Sequence, residues 1–595
     1  MSRGMDESTT MNSSEQRMQQ SSMRLDPTED AFNMTSSDAP SSDVPSSGLQ
    51  PRQELDSTKL ADAAFHHLGS TYFIGIGGAG MSVLAEMLHQ EGVQVSGSDS
   101  SESSKTQRLE ALGIPVHIGQ SAQNLQGVDT VVWSSAIKSD NPEIMEARRQ
   151  HRHLVHRSDI LGLLMSRKRA VSVAGAHGKT TTSALLSHVL THAAGSVDKL
   201  GNPSYAIGGS VQGVDGPIDG GHADTGSVFV AEADESDGSF LKYRPEIAIV
   251  TNAEADHLDH YGTVEAYRQA FVAHASHAKA HVVITGDDAG ARDIIARLDA
   301  HTAQHTVVYT TGDGSRFAAF PGCVVRIVSE SERQGSGEER FSIIIPPALA
   351  DGEERSVAVA LKIPGIHNAR NATAAIIAAM LLGMDVDAAA AAAASFLGAV
   401  RRFQVWGSVN QVTVVDDYAH HPTEIAALLD AARRRYPSSR IHIIFQPHLF
   451  SRTQFFAPAF AEALHKADDV MVTGIFPARE KQSDFPDVGP QSIVKAAQTV
   501  SDSPAHAWIS AVDNMNQAAQ MIAMRAQPGD VVITAGAGDI NAVVPVILHV
   551  LEARESPLHD ENSRSAESGS HGSPANPLVS RSHTRMSLSP ESMTR

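Results

Sequence analysis

The sequence predicts a three-domain α/β protein with disordered tails, on three observations. Strand-like and helix-like patterns alternate over most of the 595 residues, which indicates parallel sheets with crossover helices. Glycine-rich turns directly follow two of the predicted strands, at 75–80 and 175–178. The chain is also too long for a single hydrophobic core. We therefore expect ligand sites at the carboxyl ends of strands.

The two ends of the chain differ in composition from its middle. Residues 1–64 and 555–595 are polar and hold few large apolar side chains. Such segments bury too little surface to offset the entropy of ordering, so we predict that both are disordered. Two polar Gly-rich stretches, 209–226 and 329–340, are predicted to be surface insertions. Between the tails we predict three domains, at 65–166, 167–399 and 400–554.

Composition excludes several classes of function. A formal net charge of −21 disfavours sequence-independent nucleic-acid binding, which needs Lys and Arg. The single cysteine, Cys323, excludes an intramolecular disulfide and a zinc ribbon, and fits a reducing compartment. Asp385 and Asp387 interrupt the apolar stretch 372–400, so neither part reaches the roughly 18 apolar residues of a membrane span. We predict two alanine-rich helices there, and a cytoplasmic protein that does not contact membranes.

The first glycine turn is GIGGAG, which follows the predicted strand Tyr72–Ile76 and precedes a helix. Glycines let the backbone approach a diphosphate, and a helix amino terminus favours negative charge. Asp99 lies 24 residues after Gly75 (99 − 75), about where a dinucleotide fold keeps its ribose-binding acid. Three interpretations stay open from the residues alone: NAD binding, a nucleotide-sugar diphosphate, and a tight turn without a ligand.

The second glycine turn lies in VAGAHGKTTT and is shorter than the usual phosphate loop. The common pattern G-x-x-x-x-G-K-[ST] would need glycine where Val173 stands. We predict that backbone N–H groups of residues 175–181 still cradle phosphates, that Lys179 offsets their charge and that Thr180 reaches Mg²⁺. The alternative is an ordinary helix start with an exposed lysine, which the Gly-Lys-Thr-Thr run after a strand disfavours.

Polar residues at neighbouring strand ends are candidates for the metal. Glu232 ends the strand VFVAE and His257 follows IVTNAEAD, so both could join Thr180. A carboxylate with an imidazole suits Mg²⁺ less well than two carboxylates, because Mg²⁺ prefers oxygen. Asp234 and Glu235 occupy the same loops, and any one of these acids could be a solvated surface charge.

Two further groups of residues could contact a nucleotide. Asn368 and Asn371 lie three apart near a helix start, where they either contact an adenine edge or cap the helix. Arg401 and Arg402 open the third block, and arginine suits bidentate phosphate contacts. Two histidine-rich strand-end loops, DDYAHHPTEI and QPHLFSRTQ, follow in the same block.

In this order the motifs resemble the Mur ligase family over about residues 68–552, most closely its alanine-adding branch. The resemblance implies Rossmann-like N- and C-terminal domains around a central P-loop ATPase-like domain. It also implies a peptidoglycan-precursor ligase that uses ATP and Mg²⁺. Such a ligase phosphorylates the carboxylate of UDP-N-acetylmuramate, and L-alanine then attacks the acyl phosphate. GIGGAG would hold the UDP diphosphate rather than NAD.

Pattern and resemblance together predict four sets of site residues. The ATP set is Gly175, Ala176, His177, Gly178, Lys179, Thr180, Thr181, Asn368, Asn371 and Arg402. The substrate set is Gly75, Gly77, Gly78, Gly80, Asp99, Ser134, Ser135 and Tyr418. The metal set is Thr180, Glu232 and His257, and the catalytic set is Lys179, His420 and Arg452.

The chain departs from the family pattern at two positions. Phe271 stands about where several sister ligases carry a carbamylated lysine, and Leu449 stands where some relatives have arginine. Alternatives inside the family are a muropeptide ligase and a ligase for a later amino acid. The alternative outside it is a dinucleotide-dependent oxidoreductase with an ATPase domain.

Overall fold

The structure is a computed structural model of the chain. It describes residues 65, 67–214, 216–329, 338–350, 352–478, 480–500 and 508–554. Both predicted tails lie outside these residues, as does the part of the predicted insertion at 330–337. Within them the chain forms three α/β units, each built on its own main sheet, which confirms the predicted fold class.

The N-terminal unit is a five-stranded parallel sheet. Its strands are β1 (Thr71–Ile74), β2 (Val95–Asp99), β3 (Val116–Ile118), β4 (Thr130–Trp133) and β5 (His153–His156). Its helices are α1 (Ala79–Gln90), α2 (Ser104–Ala111), α3 (Pro142–Arg149) and α4 (Arg157–Ser166), with a 3₁₀ helix at Ala122–Leu125. The strand order is β3-β2-β1-β4-β5, so β1 is central and its residues are buried on both faces. The GIGGAG turn therefore leaves the middle of the sheet.

The central unit has a ten-stranded sheet and a separate two-stranded one. Its strands are β6 (Arg169–Ala174), β7 (Ser204–Ala206), β8 (Val211–Gly213), β9 (Gly216–Ile218), β10 (Gly221–His222), β11 (Val228–Glu232), β12 (Ile247–Val250), β13 (His281–Thr285), β14 (Thr306–Thr310), β15 (Cys323–Ser329), β16 (Glu339–Ile345) and β17 (Arg355–Leu361). The order is β10-β7-β11-β6-β12-β13-β14-β15-β16-β17, with β8 paired to β9 alone. Strands β7, β6 and β11 to β15 are parallel, β10 is antiparallel to β7 at one edge, and β16 and β17 extend the other edge as antiparallel strands.

Helices cover both faces of the central sheet. They are α5 (Lys179–His192), α6 (Ser196–Leu200), α7 (Leu258–Tyr261), α8 (Val264–Ser276), α9 (Ala289–Arg297), α10 (Ala300–Gln304), α11 (Ile366–Leu381) and α12 (Val386–Ser395), with 3₁₀ helices at Ser239–Lys242, Ser315–Phe317 and Pro347–Leu349. The alanine-rich stretch forms α11 and α12, as predicted. Most side chains of α11 are buried against α5 and the sheet, because small residues let the helices approach closely. No helix in the described part of the chain is long and apolar enough to cross a bilayer.

The stretch 209–226 differs from the predicted surface insertion. It contains β8, β9 and β10, and β10 pairs with β7 at the edge of the main sheet. Asp219 forms an ion pair with Arg108 of α2, and Gly221 lies against Val83 of α1. The stretch therefore joins the N-terminal and central units. Its glycine content fits this role, because a Cβ at Gly221 would come within 2.2 Å of the Val83 side chain.

The C-terminal unit is a six-stranded sheet with one antiparallel edge strand. Its strands are β18 (Gln404–Val409), β19 (Val412–Asp417), β20 (Ile441–Phe445), β21 (Asp469–Val472), β22 (Ile509–Ala511) and β23 (Val531–Ala535). Its helices are α13 (Pro422–Arg435), α14 (Phe450–Leu464), α15 (Pro490–Ala496), α16 (Met515–Arg525) and α17 (Val544–Ala553), with 3₁₀ helices at Gln482–Asp484, Ala497–Thr499 and Ile540–Val543. The order β18-β19-β23-β20-β21-β22 brings the DDYAHH and QPH loops to one edge of the sheet.

Candidate active site

The turn between β6 and α5 needs glycine at two positions. Gly175 has φ 142°, and a Cβ there would lie 2.1 Å from Thr251 Oγ1. Gly178 has φ 82°, and a Cβ there would lie 2.8 Å from Asn371 Oδ1. Because α5 begins at Lys179, its free N–H groups and the positive end of its dipole face the turn. The shortened turn therefore keeps the geometry of an anion site.

Lys179 is held inside the site by a buried carboxylate. Its Nζ lies 2.9 Å from Glu235 Oε2 and donates to the Gly175 carbonyl at 2.8 Å. Burial opposes the charge, but Glu235 and Glu232 outweigh it and raise the pKa of Lys179. The side chain of Glu235 has no exposed surface. Lys179 is thus a charged group beside the turn, not an exposed lysine at a helix start.

The three predicted metal ligands line one cavity of about 400 Å³. The Thr180 hydroxyl donates to the Glu232 carboxylate at 3.0 Å, and the Gly208 N–H donates to the same carboxylate. His257 Nε2 lies 3.8 Å from carboxylate oxygens of Glu235 and of Asp256. The hydroxyl and the carboxylate fit Mg²⁺, which prefers oxygen, and the imidazole offers a third donor at the same end of the sheet.

The two amides lie in a second cavity, of about 310 Å³, beside the first. Asn368 and Asn371 are both 7% exposed. Both belong to the first two turns of α11 and do not precede the helix. Asn368 donates to the Pro364 carbonyl at 2.7 Å and accepts from Asn371 at 3.4 Å. Neither residue is the N-cap, which is Gly365. The capping alternative is therefore wrong for both.

The two adjacent arginines have different surroundings. Arg401 donates to Asp416 and to the carbonyls of Gly536 and Gly538, so its guanidinium is used inside the C-terminal unit. Arg402 lines both cavities and lies 3.5 Å from Glu424. Both arginines line the larger cavity, but the guanidinium of Arg401 is already paired, and only Arg402 also lines the cavity of the two amides.

The C-terminal unit contributes one wall of the 400 Å³ cavity. That wall includes Tyr418, His420 and Arg452. His420 Nδ1 lies 3.1 Å from the Tyr418 carbonyl, so Nδ1 donates and Nε2 keeps its lone pair. Burial lowers the pKa of His420 to about 4, against the attraction of Glu424. Arg452 donates to Asp256 of the central unit at 3.3 Å.

Leu449 and Phe271 occupy the two positions where the chain departs from the family pattern. Leu449, the N-cap of α14, has φ 68° and is 7% exposed, so its side chain packs inward, and Arg452 in the first turn of α14 lines the cavity instead. Phe271 has no exposed surface and packs against Phe240 with ring centroids 5.1 Å apart. An apolar ring there offers no amine for a carbamate.

His177 extends from the glycine turn between two carboxylates. Its Nε2 lies 3.3 Å from Glu254 and its Nδ1 lies 3.3 Å from Glu424 of the C-terminal unit. Burial opposes protonation, but Glu424 and Glu254 together raise the pKa of His177 to about 9. The imidazole is therefore charged at neutral pH and links the two units.

The first glycine turn is stabilised by its own acid. The Gly77 N–H donates to Asp99 Oδ2 at 2.9 Å, and a Cβ at Gly77 would lie at the same distance from that oxygen. Gly78 is the N-cap of α1, and Gly80 lies in its first turn. The N-terminus of α1, with the positive end of its dipole, follows this turn directly, which is the position a diphosphate interpretation needs.

Ser134 and Ser135 follow β4, beside this turn. Ser134 is half-buried, and its carbonyl accepts from the Ile137 N–H. The Ser135 hydroxyl donates to Asp237 at 3.1 Å and lies 3.2 Å from His156 Nε2. Asp237 belongs to the same EADESD loop as Glu232 and Glu235. This loop therefore links the segment after β4 to the Lys179 side of the second glycine turn.

Sequence reasoning did not include three residues in its site sets. Glu235 was one of several acids that could have been solvated, yet it is fully buried against Lys179. Glu424 accepts from the backbone N–H groups of His420 and His421. The signal for Glu424 was present, because an acid two residues after a Pro at a helix start is a common N-terminal feature. Pairing of Asp256 with Arg452 had no local signal.

Family models of the Mur ligases match most of the chain. The Mur ligase family catalytic domain matches residues 70–169, the Mur ligase middle domain residues 173–379 and the Mur ligase glutamate ligase domain residues 401–538. The chain belongs to the Mur ligase family.

Curated and solved relatives agree with this assignment. The chain is 64% identical over 490 residues to UDP-N-acetylmuramate–L-alanine ligase of Bifidobacterium adolescentis, covering 82% of this chain and 94% of that one. A crystal structure of UDP-N-acetylmuramate–alanine ligase from Thermotoga maritima aligns with TM-score 0.63 and 28% identity, over 82% and 99% of the two chains. A murein peptide ligase from Psychrobacter arcticus aligns with TM-score 0.56 and 24% identity, over 81% and 99%, which shows a shared fold.

Proposed function

We propose that this protein joins L-alanine to the carboxylate of UDP-N-acetylmuramate at the expense of ATP, in cytoplasmic synthesis of peptidoglycan precursors. The observation that carries the proposal is the 64% identity, over 490 residues, to a relative of that activity. The two glycine turns supply separate sites for the two nucleotides. We propose the same three domains as the sequence analysis, with boundaries at 166/167 and 399/400.

The ATP site is proposed to span the two adjoining cavities. The adenine lies by Asn368 and Asn371, and residues 175–181 cradle the phosphates through their N–H groups. Lys179 and Arg402 approach the phosphate chain from opposite domains and screen its charge as the carboxylate comes near. Mg²⁺, when bound by Thr180, Glu232 and His257, would neutralise further charge on the β and γ phosphates.

The acceptor substrate is proposed to lie between the two glycine turns. The UDP diphosphate sits at the α1 N-terminus, with Asp99, Ser134 and Ser135 beside it. Transfer of the γ-phosphoryl group to the substrate carboxylate forms an acyl phosphate, which has a much better leaving group than the free acid. Because Asp237 connects Ser135 to the loop of Glu235, substrate binding and Lys179 are coupled through one loop.

The amino acid is proposed to enter from the C-terminal unit. Arg452 holds its carboxylate, Tyr418 lines its pocket, and the neutral His420 Nε2 accepts a hydrogen bond from its free amino group. The amine then attacks the acyl phosphate, and the tetrahedral intermediate expels phosphate. Burial keeps His420 neutral at pH 7, so its Nε2 can accept a hydrogen bond and orient the amine, although a pKa of about 4 makes it too weak a base to deprotonate an ammonium group.

A ligation assay tests the proposal. The protein is incubated with ATP, Mg²⁺ and UDP-N-acetylmuramate, and phosphate release is followed with alanine, glycine, serine or the tripeptide L-alanyl-γ-D-glutamyl-meso-diaminopimelate. We expect release that depends most strongly on alanine. Release with the tripeptide alone would instead identify a muropeptide ligase. A spectral change with NADH and no release would support the oxidoreductase.

A further inference from the structure

A second cluster of possible metal ligands lies outside the Thr180 set. One donor atom each from His177, Glu254 and His421 lies within 4.8 Å of the other two. His421 is 3% exposed, and neither of its ring nitrogens has a hydrogen-bond partner in the described part of the chain. Its ring centroid lies 5.0 Å from that of His177. A buried imidazole without partners is costly unless something occupies the space it faces.

The donor set matches a transition metal rather than Mg²⁺. Two imidazoles and one carboxylate are the ligands of many three-residue zinc sites, which leave a fourth position for water. Glu424 lies 3.3 Å from His177 Nδ1, so it can accept that N–H while His177 Nε2 faces Glu254. A carboxylate behind a histidine ligand is the usual outer partner in such sites. The Thr423 hydroxyl donates to the Glu254 carboxylate at 2.6 Å and so fixes the orientation of this ligand.

We propose that His177, Glu254 and His421 form a site for a zinc-class divalent cation, which bridges the ATP turn and the C-terminal unit. His177 and Glu254 belong to the central unit, and His421 precedes α13 of the C-terminal one. The metal replaces the proton that the carboxylates hold on His177. A bridge at this position keeps the two units closed, so it slows any step that needs them to separate.

Cobalt is the probe, because its visible absorption reports coordination number. Co²⁺ is titrated into the untagged full-length protein without nucleotide, and then displaced with Zn²⁺. We expect one Co²⁺ per chain with the strong absorption of four-coordinate Co²⁺. Both His421→Gln and Glu254→Gln remove this absorption, and Glu424→Gln weakens Co²⁺ binding about 10- to 100-fold. Glu254 is partly exposed, so its variant keeps the test valid if His421→Gln misfolds.

The matched control is His301→Gln, in an exposed histidine pair with His305 that also could take a metal. We expect it to bind Co²⁺ as the parent protein does. The proposal is overturned if the parent shows no four-coordinate absorption, or if the absorption survives both His421→Gln and Glu254→Gln. It is also overturned if Glu232→Gln removes the absorption and Glu254→Gln does not, because the metal is then at the Thr180 site.

Discussion

The glycine turn at 75–80 and the one at 175–178 both follow a buried parallel strand and precede a helix, but their surroundings differ. The first is closed by an acid of its own unit, since Asp99 accepts the Gly77 N–H. The second receives a buried lysine and, from another unit, Arg402 and Glu424. Two similar turns thus differ in the charges that other elements bring to them, and this difference is the basis for assigning them to different nucleotides in the proposed function.

Among the substitutions that test this difference, Lys179→Met has the largest expected effect. We expect kcat to fall by about 10³-fold, because the phosphoryl group loses a preorganised charge, while the affinity for UDP-N-acetylmuramate stays unchanged. Steady-state kinetics and isothermal titration calorimetry measure the two. Lys199→Met, at an exposed lysine of α6, is the control.

The Lys179 variant also leaves Glu235 buried without its partner, which destabilises a protein. The double variant Lys179→Met with Glu235→Gln removes that stability loss and should stay as inactive as the single one. Loss of binding at both nucleotide sites in a folded double variant would show that the two turns are not independent.

Alanine at each turn should affect one nucleotide only. Gly178→Ala places a Cβ 2.8 Å from Asn371 Oδ1 at a positive φ, so we expect the KM for ATP to rise about tenfold from a strain of about 1–2 kcal/mol. Gly75→Ala, also at positive φ and 3.3 Å from Ile137, should raise the KM for the UDP substrate instead. A rise in the same KM for both variants would contradict the assignment of the turns.

A smaller effect is expected for Asp99→Ala. The turn loses a charged acceptor for the Gly77 N–H, and the affinity for the UDP substrate should fall by about tenfold, since such bonds contribute about 1.5–3 kcal/mol. The KM for ATP should not change. Calorimetry on this variant and on Asp140→Ala, an exposed acid of the same unit, measures the difference. Equal losses in both would remove Asp99 from the site.

The smallest expected effect is a pH dependence of the protein's stability, which arises from His177 in the second turn and has no counterpart in the first. His177 faces Glu254, Glu424 and His421, and its pKa of about 9 lies above the unfolded value of about 6.5. Its stabilising contribution is therefore complete below pH 6.5 and is lost as pH rises through about 9. With protein kept free of divalent metal by EDTA, we expect the thermal midpoint to exceed that of His177→Gln by a few degrees at pH 6.5, and the two to converge near pH 10. A constant difference would show that His177 does not titrate there.

Most of the fold was predictable because it depends on local patterns. Alternating strands and helices, the two glycine turns and the alanine-rich helices α11 and α12 are each determined within about 30 residues of sequence. The pairing of β10 with β7 and the antiparallel strands β16 and β17 were not, because edge pairing depends on which distant segment is close by. The site roles remain proposals, but the positions of most predicted residues at strand ends followed from the same patterns.

By itself the sequence determined the order of the motifs, the positions that require glycine and the acids and histidines that could meet at strand ends. Only the tertiary structure decided which of these residues meet. It pairs Arg401 with backbone carbonyls of the C-terminal unit, which distinguishes it from Arg402. It also buries Glu235 against Lys179 and brings His421 beside His177. The physical reason is that burial and charge pairing depend on contacts between residues far apart in the sequence, 56 positions for Lys179 and Glu235, which no local pattern specifies.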